Sequence, residues 1–209
     1  MVAVSLGSIG ATLGDMSEYT GSFAERFTAS EIEQFHFSRF DQIAKALRTD
    51  RLSGKAEFLA VETIPLLAEA QAIVSALERI NTPEPQLPPA WISFCGSKPN
   101  RIGSGELIED AVRAVNKSPS VFAVGVNCIP MDAATELVAR IKTVTDKPIL
   151  CYPNGQVWDD SPDYDGSAHK HLPDVFAAEA KNWVQAGAKI VGGCCKTSPA
   201  HIGALENAL

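Results

Sequence analysis

The chain has 209 residues, 45% of them hydrophobic, and a net charge of −7 with no basic cluster. That length and apolar content suffice for one sizeable core, and the acidic balance argues against a nucleic-acid partner. No apolar run reaches the ~18 residues that a membrane span needs. The opening M-V-A-V-S-L-G-S-I-G lacks the basic start and cleavage site of a secretion signal, so the expected setting is reducing and cytoplasmic, with no membrane partner.

Strand and helix signals alternate from the start. Val2–Leu6 is a short apolar run ending in the turn-prone G-S-I-G-A. Ser30 and Glu33 have capping-box spacing, and Ile32, Phe35, Phe40, Ile43 and Leu47 then recur at helical intervals. Phe58–Glu62 reads as a second strand and Leu66–Ile80 as a helix, which the proline-rich T-P-E-P-Q-L-P-P cannot continue. Trp91–Cys95 is the third strand, with a helix expected near Leu107–Val115. Phe122–Cys128 is the fourth, followed by a helix capped by Asp132 and reaching Thr143. Pro148–Tyr152 is the fifth, and a long irregular segment runs from it to Pro173. Val175–Ala186 is helical with Gly187 as its C-terminal cap. Lys189–Cys195 is the sixth strand, and Ser198 and Pro199 open a last helix as N-cap and first-turn proline.

Six strand–helix repeats imply a parallel sheet, either open and doubly wound or a (β/α)8 barrel. The unusual residues Glu62, Cys95, Cys128, Tyr152, Cys194 and Cys195 all fall at strand C-terminal ends, where both architectures place their sites. Strand ends converging on one centre favour the barrel. The first turn, G-S-I-G-A-T-L-G, also lacks the G-x-G-x-x-G dinucleotide spacing. The expected fold is α/β of the TIM-barrel type, a partial barrel with six of eight units.

Cys128 closes V-F-A-V-G-V-N-C, and Cys194 and Cys195 close K-I-V-G-G-C-C. Three thiolates gathered at strand ends make a zinc site with one coordination position free for a substrate. Two other readings compete with it: buried cysteines that only fill space, and a thiol redox pair at Cys194 and Cys195. Neighbouring Cα atoms lie about 3.8 Å apart, below the ~4.4–6.8 Å of ordinary disulfides, which counts against the redox pair. Five cysteines, an odd number, also argue against a disulfide framework. The glycine pair before the cysteine pair removes side-chain bulk where something must approach, and metal ligation is favoured.

With these residues placed, the chain resembles the zinc-dependent homocysteine S-methyltransferases. The likeness is carried by V-A-V-S-L-G-S-I-G-A, S-E-Y-T-G, L-A-V-E-T-I-P, W-I-S-F, G-V-N-C, C-Y-P-N-G-Q-V-W-D and G-G-C-C-K-T-S-P-A-H-I. It implies a single homocysteine-binding barrel domain over residues 1–209, with Zn2+ on Cys128, Cys194 and Cys195. Glu62 would grip the homocysteine amino group. Asn127, directly before Cys128, is a candidate to orient substrate or a ligand through its amide, or to serve as a turn residue. S-E-Y-T-G is similar to the branch that takes its methyl group from S-methylmethionine or S-adenosylmethionine. Val2–Leu6 looks like the third strand of that family, so its first two β-α units and its Asp-Gly-Gly motif are absent from this sequence. Met16 stands where the family tends to have glycine.

The resemblance implies methyl transfer from a sulfonium donor to a zinc-activated homocysteine thiolate, forming methionine. The alternative is a barrel fragment that binds zinc without catalysis and self-associates through exposed sheet edges. Tyr19, Tyr152 and Trp158 are candidates to stack on a sulfonium or to pack. Cys95 and Cys151 read as buried thiols, His36 as structural, His201 as packing or support for the metal site, and His169 and His171 as solvated.

Overall fold

A computed structural model describes residues 2–49, 54–84, 86–96, 98–155 and 173–209. Trp158, His169 and His171 lie outside the described residues, as does the Q-V-W-D end of the C-Y-P-N-G-Q-V-W-D motif. Six strands, β1 (Ala3–Leu6), β2 (Phe58–Ile64), β3 (Ala90–Phe94), β4 (Val121–Asn127), β5 (Ile149–Tyr152) and β6 (Ile190–Val191), form one sheet. They lie side by side in chain order and every pairing is parallel. A doubly wound sheet reverses its order at a switch point. This one never does, and it curls into a partial barrel.

The connecting helices are α1 (Ala29–Leu47), α2 (Leu67–Ile80), α3 (Ile108–Asn116), α4 (Ala134–Lys142) and α5 (Pro173–Ala186), with α6 (Pro199–Ala208) after β6. Each packs beside the next. None of the described helices is long and apolar enough to cross a membrane. Alternate strand residues serve the two sheet faces. Leu59, Val61, Ile64, Ile92, Phe94, Val124, Val126 and Cys151 join the helices in one apolar core. The intervening residues Ser5, Glu62, Ser93, Asn127 and Tyr152 share the opposite, concave face.

Two helix starts and one strand end differ from expectation. The capping box is Thr28 and Glu31, not Ser30 and Glu33: the Thr28 N–H donates to Glu31 Oε2 at 2.8 Å, and the Glu31 N–H to Thr28 Oγ1 at 3.3 Å. The same T/S-x-x-E spacing occurs twice in T-A-S-E-I-E, and Glu33 is drawn instead to Ser75 and Arg79 on α2. Asp132 is not an N-cap, because Pro130 opens a 3-10 turn, Met131–Ala133, that leads into α4. The sixth strand stops at Val191, and Gly192–Cys194 leave it as irregular chain that leads into a turn at Cys195 and Lys196. Gly187 does end α5, at φ +125°, and Ser198 and Pro199 do open α6.

The loop after β1 is pinned by a residue the sequence reading passed over. Glu69, in the first turn of α2, is fully buried. It accepts from the Ser8 hydroxyl (2.7 Å) and the Ile9 N–H (2.7 Å), and His36 Nε2 lies 3.0 Å from Oε1. His36 is thus structural, as its amphipathic helix suggested. Glu69→Ala would strand three buried donors, each costing ~1–3 kcal/mol. An overall loss of about 3–5 kcal/mol is expected, read as a lower urea midpoint, with Glu69→Gln losing less because one acceptor remains.

Candidate functional site

β4 and β6 flank β5, so two strand spacings, about 9–10 Å, separate the runs that carry the cysteines. Residues 153–155 close that gap. On one side the Cys128 N–H donates to Tyr152 O (3.3 Å) and the Asn154 N–H to Ile129 O (3.0 Å). On the other, the Cys194 N–H donates to Pro153 O (2.9 Å) and the Gly155 N–H to Cys195 O (2.8 Å). A Cβ on Gly155 would meet Lys196 O at 2.6 Å, so only glycine lets the cysteine turn lie this close. The glycine pair before Cys194 acts differently from expectation. A Cβ on Gly193 would strike Thr197 Cγ2 at 2.5 Å, and the Thr197 hydroxyl holds Cys194 O at 2.7 Å. What approaches Gly193 is the turn itself.

The result is a trithiol cluster. The sulfurs of Cys128, Cys194 and Cys195 lie within 4.8 Å of one another, and Cys128 Sγ and Cys195 Sγ are 3.4 Å apart. A tetrahedral ion with metal–sulfur bonds of about 2.3 Å requires sulfurs about 3.8 Å apart, so the three residues fit a metal. Cys128 and Cys194 sit half-buried to buried and Cys195 is exposed, which leaves one side of the cluster open. The cluster also polarises its own thiols. A hydrogen bond from Cys128, and next one from the Asn127 amide, hold Cys194 down at about 6 against the burial that opposes them. The same pairing with Cys194, with burial, pushes Cys128 up. The Tyr19 hydroxyl lies 3.6 Å from Cys128 Sγ, and that contact, with burial, raises its phenol.

Around the cluster the backbone is strained. Met16, Thr63, Cys128 and Lys196 are the described non-glycine residues with positive φ, at 65°, 61°, 52° and 63°. Met16 stands in a conformation that glycine adopts freely. Thr63 is β-branched, for which this region is a genuine outlier. It is held there by Asn127, whose Oδ1 accepts from the Thr63 N–H and whose Nδ2 donates to Thr63 Oγ1, both at 2.8 Å. The kink falls where β2 shifts register against β3, and it follows directly on Glu62.

Glu62 and Asn127 are both present on this face. Glu62 Oε1 accepts from the Ser5 hydroxyl (2.5 Å), and Oε2 from the Tyr152 hydroxyl (2.9 Å). Asn127 Nδ2 lies 3.9 Å from Cys194 Sγ, and its Oδ1 accepts from the Ser93 hydroxyl at 2.7 Å. Tyr152 offers its hydroxyl to this network, and burial, then the Glu62 charge, raises its phenol. Sequence reasoning missed Ser5, Thr63, Trp91 and Ser93. The usable signal was a polar residue at inward parity in an otherwise apolar strand, as in W-I-S-F. Cys95 and Cys151 are buried thiols, as expected, and burial raises both. His201 caps α6, with Nδ1 3.2 Å from the Ser198 N–H, and packs edge-on against Phe176.

A parallel, sequentially ordered α/β sheet with a thiol cluster at its strand C-terminal ends defines a barrel-type protein whose cluster has the spacing a metal ion would need. The family model for homocysteine S-methyltransferase matches residues 1–209, and the chain belongs to that family. It is 38% identical over 216 residues to Homocysteine S-methyltransferase 1 of Arabidopsis thaliana, covering 100% of this chain and 61% of that protein. Against Homocysteine S-methyltransferase YbgG of Bacillus subtilis (strain 168) it is 36% identical, covering 97% and 59%. Among solved structures, the homocysteine methyltransferase MmuM from Escherichia coli superposes with a TM-score of 0.79 in its oxidized form and 0.77 in its metallated form. Both are 30% identical over 99% of this chain and cover 61% and 60% of theirs. The chain therefore spans about three fifths of the length of these relatives.

Proposed function

We propose that the chain is a homocysteine S-methyltransferase that moves a methyl group from a sulfonium donor, S-methylmethionine or S-adenosylmethionine, to homocysteine, forming methionine. Residues 1–209 act in this reading as one homocysteine-binding barrel domain. The observation that carries it is the gathering of Cys128, Cys194 and Cys195 beside an inward carboxylate, Glu62, on the same face of the sheet.

Cys128, Cys194 and Cys195 would hold Zn2+, which binds thiolates tetrahedrally and leaves a fourth position when only three protein ligands are supplied. When bound, zinc deprotonates an incoming thiol and keeps it nucleophilic at neutral pH. The three cysteinates outweigh a divalent charge by one unit, which draws a cationic sulfonium toward the site. Its leaving group is a neutral thioether, so no general acid is required of the chain. Glu62 accepts the homocysteine ammonium group and fixes the amino acid relative to the sulfurs. Asn127, pinned between Thr63 and Ser93, keeps its amide directed at Cys194.

Two readouts on freshly reduced protein test this. Metal analysis is expected to give about one zinc per chain, and the zinc-loaded chain to form methionine from homocysteine and one of the two donors. Zinc-loaded protein that makes no methionine with either donor overturns the enzyme reading. Protein that takes up no zinc overturns the metal reading. The sheet edges at β1 and β6 carry no further strand among the described residues. Self-association through them is the mark of the alternative, a barrel fragment that binds zinc without catalysis, and would appear as a concentration-dependent mass in sedimentation; a monodisperse monomer that turns over would exclude that alternative.

A further inference from the structure

Four oxygens stand in series on the concave face. Glu62 Oε2 lies 2.9 Å from the Tyr152 hydroxyl, which lies 2.6 Å from the Ser93 hydroxyl, which lies 2.7 Å from Asn127 Oδ1. Both ends are acceptors. The Thr63 N–H fixes which end of the Asn127 amide is oxygen, and the Trp91 Nε1–H occupies a lone pair of Tyr152 at 3.0 Å. Three links are shared by only two hydroxyl hydrogens. With Glu62 ionised, one link lacks a hydrogen, and two oxygens face each other across it.

We infer that Tyr152 and Ser93 are positioning residues that carry recognition of the homocysteine ammonium group from Glu62 to Asn127, and so to the sulfur cluster. The inference rests on the methyltransferase reading above. An ammonium group seated between Glu62 Oε2 and the Tyr152 oxygen donates to both, and the Tyr152 hydroxyl turns from Glu62 to Ser93, which already donates to Asn127 Oδ1. No proton changes owner; one hydroxyl rotates. A Ser93 hydroxyl that accepts from Tyr152 donates more strongly into Oδ1, which polarises the amide and strengthens its Nδ2–H toward Cys194 Sγ. The sulfur site is thereby tuned to a thiol that carries an amino group, which separates homocysteine from simple thiols.

The test is the ratio of dissociation constants of homocysteine and its des-amino analogue, 4-mercaptobutanoate, measured by calorimetry on the zinc-loaded chain. Wild-type protein is expected to prefer homocysteine. Tyr152→Phe should shrink that preference about tenfold, the scale of one hydrogen bond to a charged group, with 4-mercaptobutanoate affinity unchanged. Ser93→Ala should shrink it by about threefold to tenfold, although Ser93 does not touch Glu62. A purely structural role would weaken both thiols together and leave the ratio alone. An unchanged ratio in Ser93→Ala, with wild-type discrimination intact, overturns the relay and spares the enzyme reading. Wild-type protein that binds neither thiol overturns both.

Discussion

Replacing Cys128 with serine is expected to weaken metal binding by about a thousandfold while leaving the chain folded. Three thiolates supply the charge and the soft donors of the site, and a serine hydroxyl stays protonated near neutrality. Structural zinc sites are worth roughly 10–16 kcal/mol, so losing one of three protein ligands should remove about 4 kcal/mol, or three orders of magnitude. The fold should survive because, among the described residues, the polar contacts of the Cys128 sulfur are with the other two thiols and the Tyr19 hydroxyl. The backbone N–H that joins it to Tyr152 O is untouched by the change. Competition with a chromophoric chelator reads the affinity, and circular dichroism reads the fold. Cys95→Ala is the matched control, a buried thiol outside the cluster, and should keep the wild-type metal content. A Cys128→Ser protein that retains wild-type affinity would mean that the three sulfurs do not act as one ligand set.

The three cysteines of the cluster were legible in the sequence because their information is local: a β-branched run ending in cysteine marks a strand end, and parallel strands bring such ends to one side. How the two runs meet was not legible. It depends on Pro153–Gly155 bridging β4 to the turn after β6 through backbone hydrogen bonds, which no side chain advertises. The sixth strand was read too long because apolar Ile190 and Val191 run on into Gly192 and Gly193. Only the closeness of Thr197 shows that the second glycine belongs to a turn. The Glu62–Tyr152–Ser93–Asn127 series was hidden for another reason. Its members lie on four strands, and whether they face one another depends on register. β2 slips against β3 near Val61 and Ile64, and β3 against β4 at Ala90 and Trp91. A slip of one residue sends every later side chain to the other face. Glu69 shows the opposite error, since a glutamate in a first helical turn is normally solvated.

Asn127→Ala is the second change with a large expected effect, and here stability falls first. Asn127 is 1% exposed, and its amide serves Thr63 N–H, Thr63 Oγ1, Ser93 Oγ and Cys194 Sγ. Alanine would leave the Thr63 N–H without its acceptor and release the restraint on a β-branched residue at φ 61°. Strain of about 1–3 kcal/mol at such a residue persists only where its surroundings enforce it. Relaxation of Thr63 would carry Glu62 out of place, so thiol binding should fall with stability, the latter by about 3–4 kcal/mol. Asn127→Asp separates the two effects. It keeps the oxygen for Thr63 and Ser93, but sets a carboxylate where the N–H faced Cys194. That thiol, held at about 6 by Cys128 and then by Asn127, should therefore titrate higher in the metal-free protein. Its thiolate would be lost as pH falls at a higher pH than in wild type, a shift visible in ultraviolet thiolate absorbance. An Asn127→Asp protein with an unmoved thiolate titration would show that the amide holds Thr63 alone and does nothing for the sulfur.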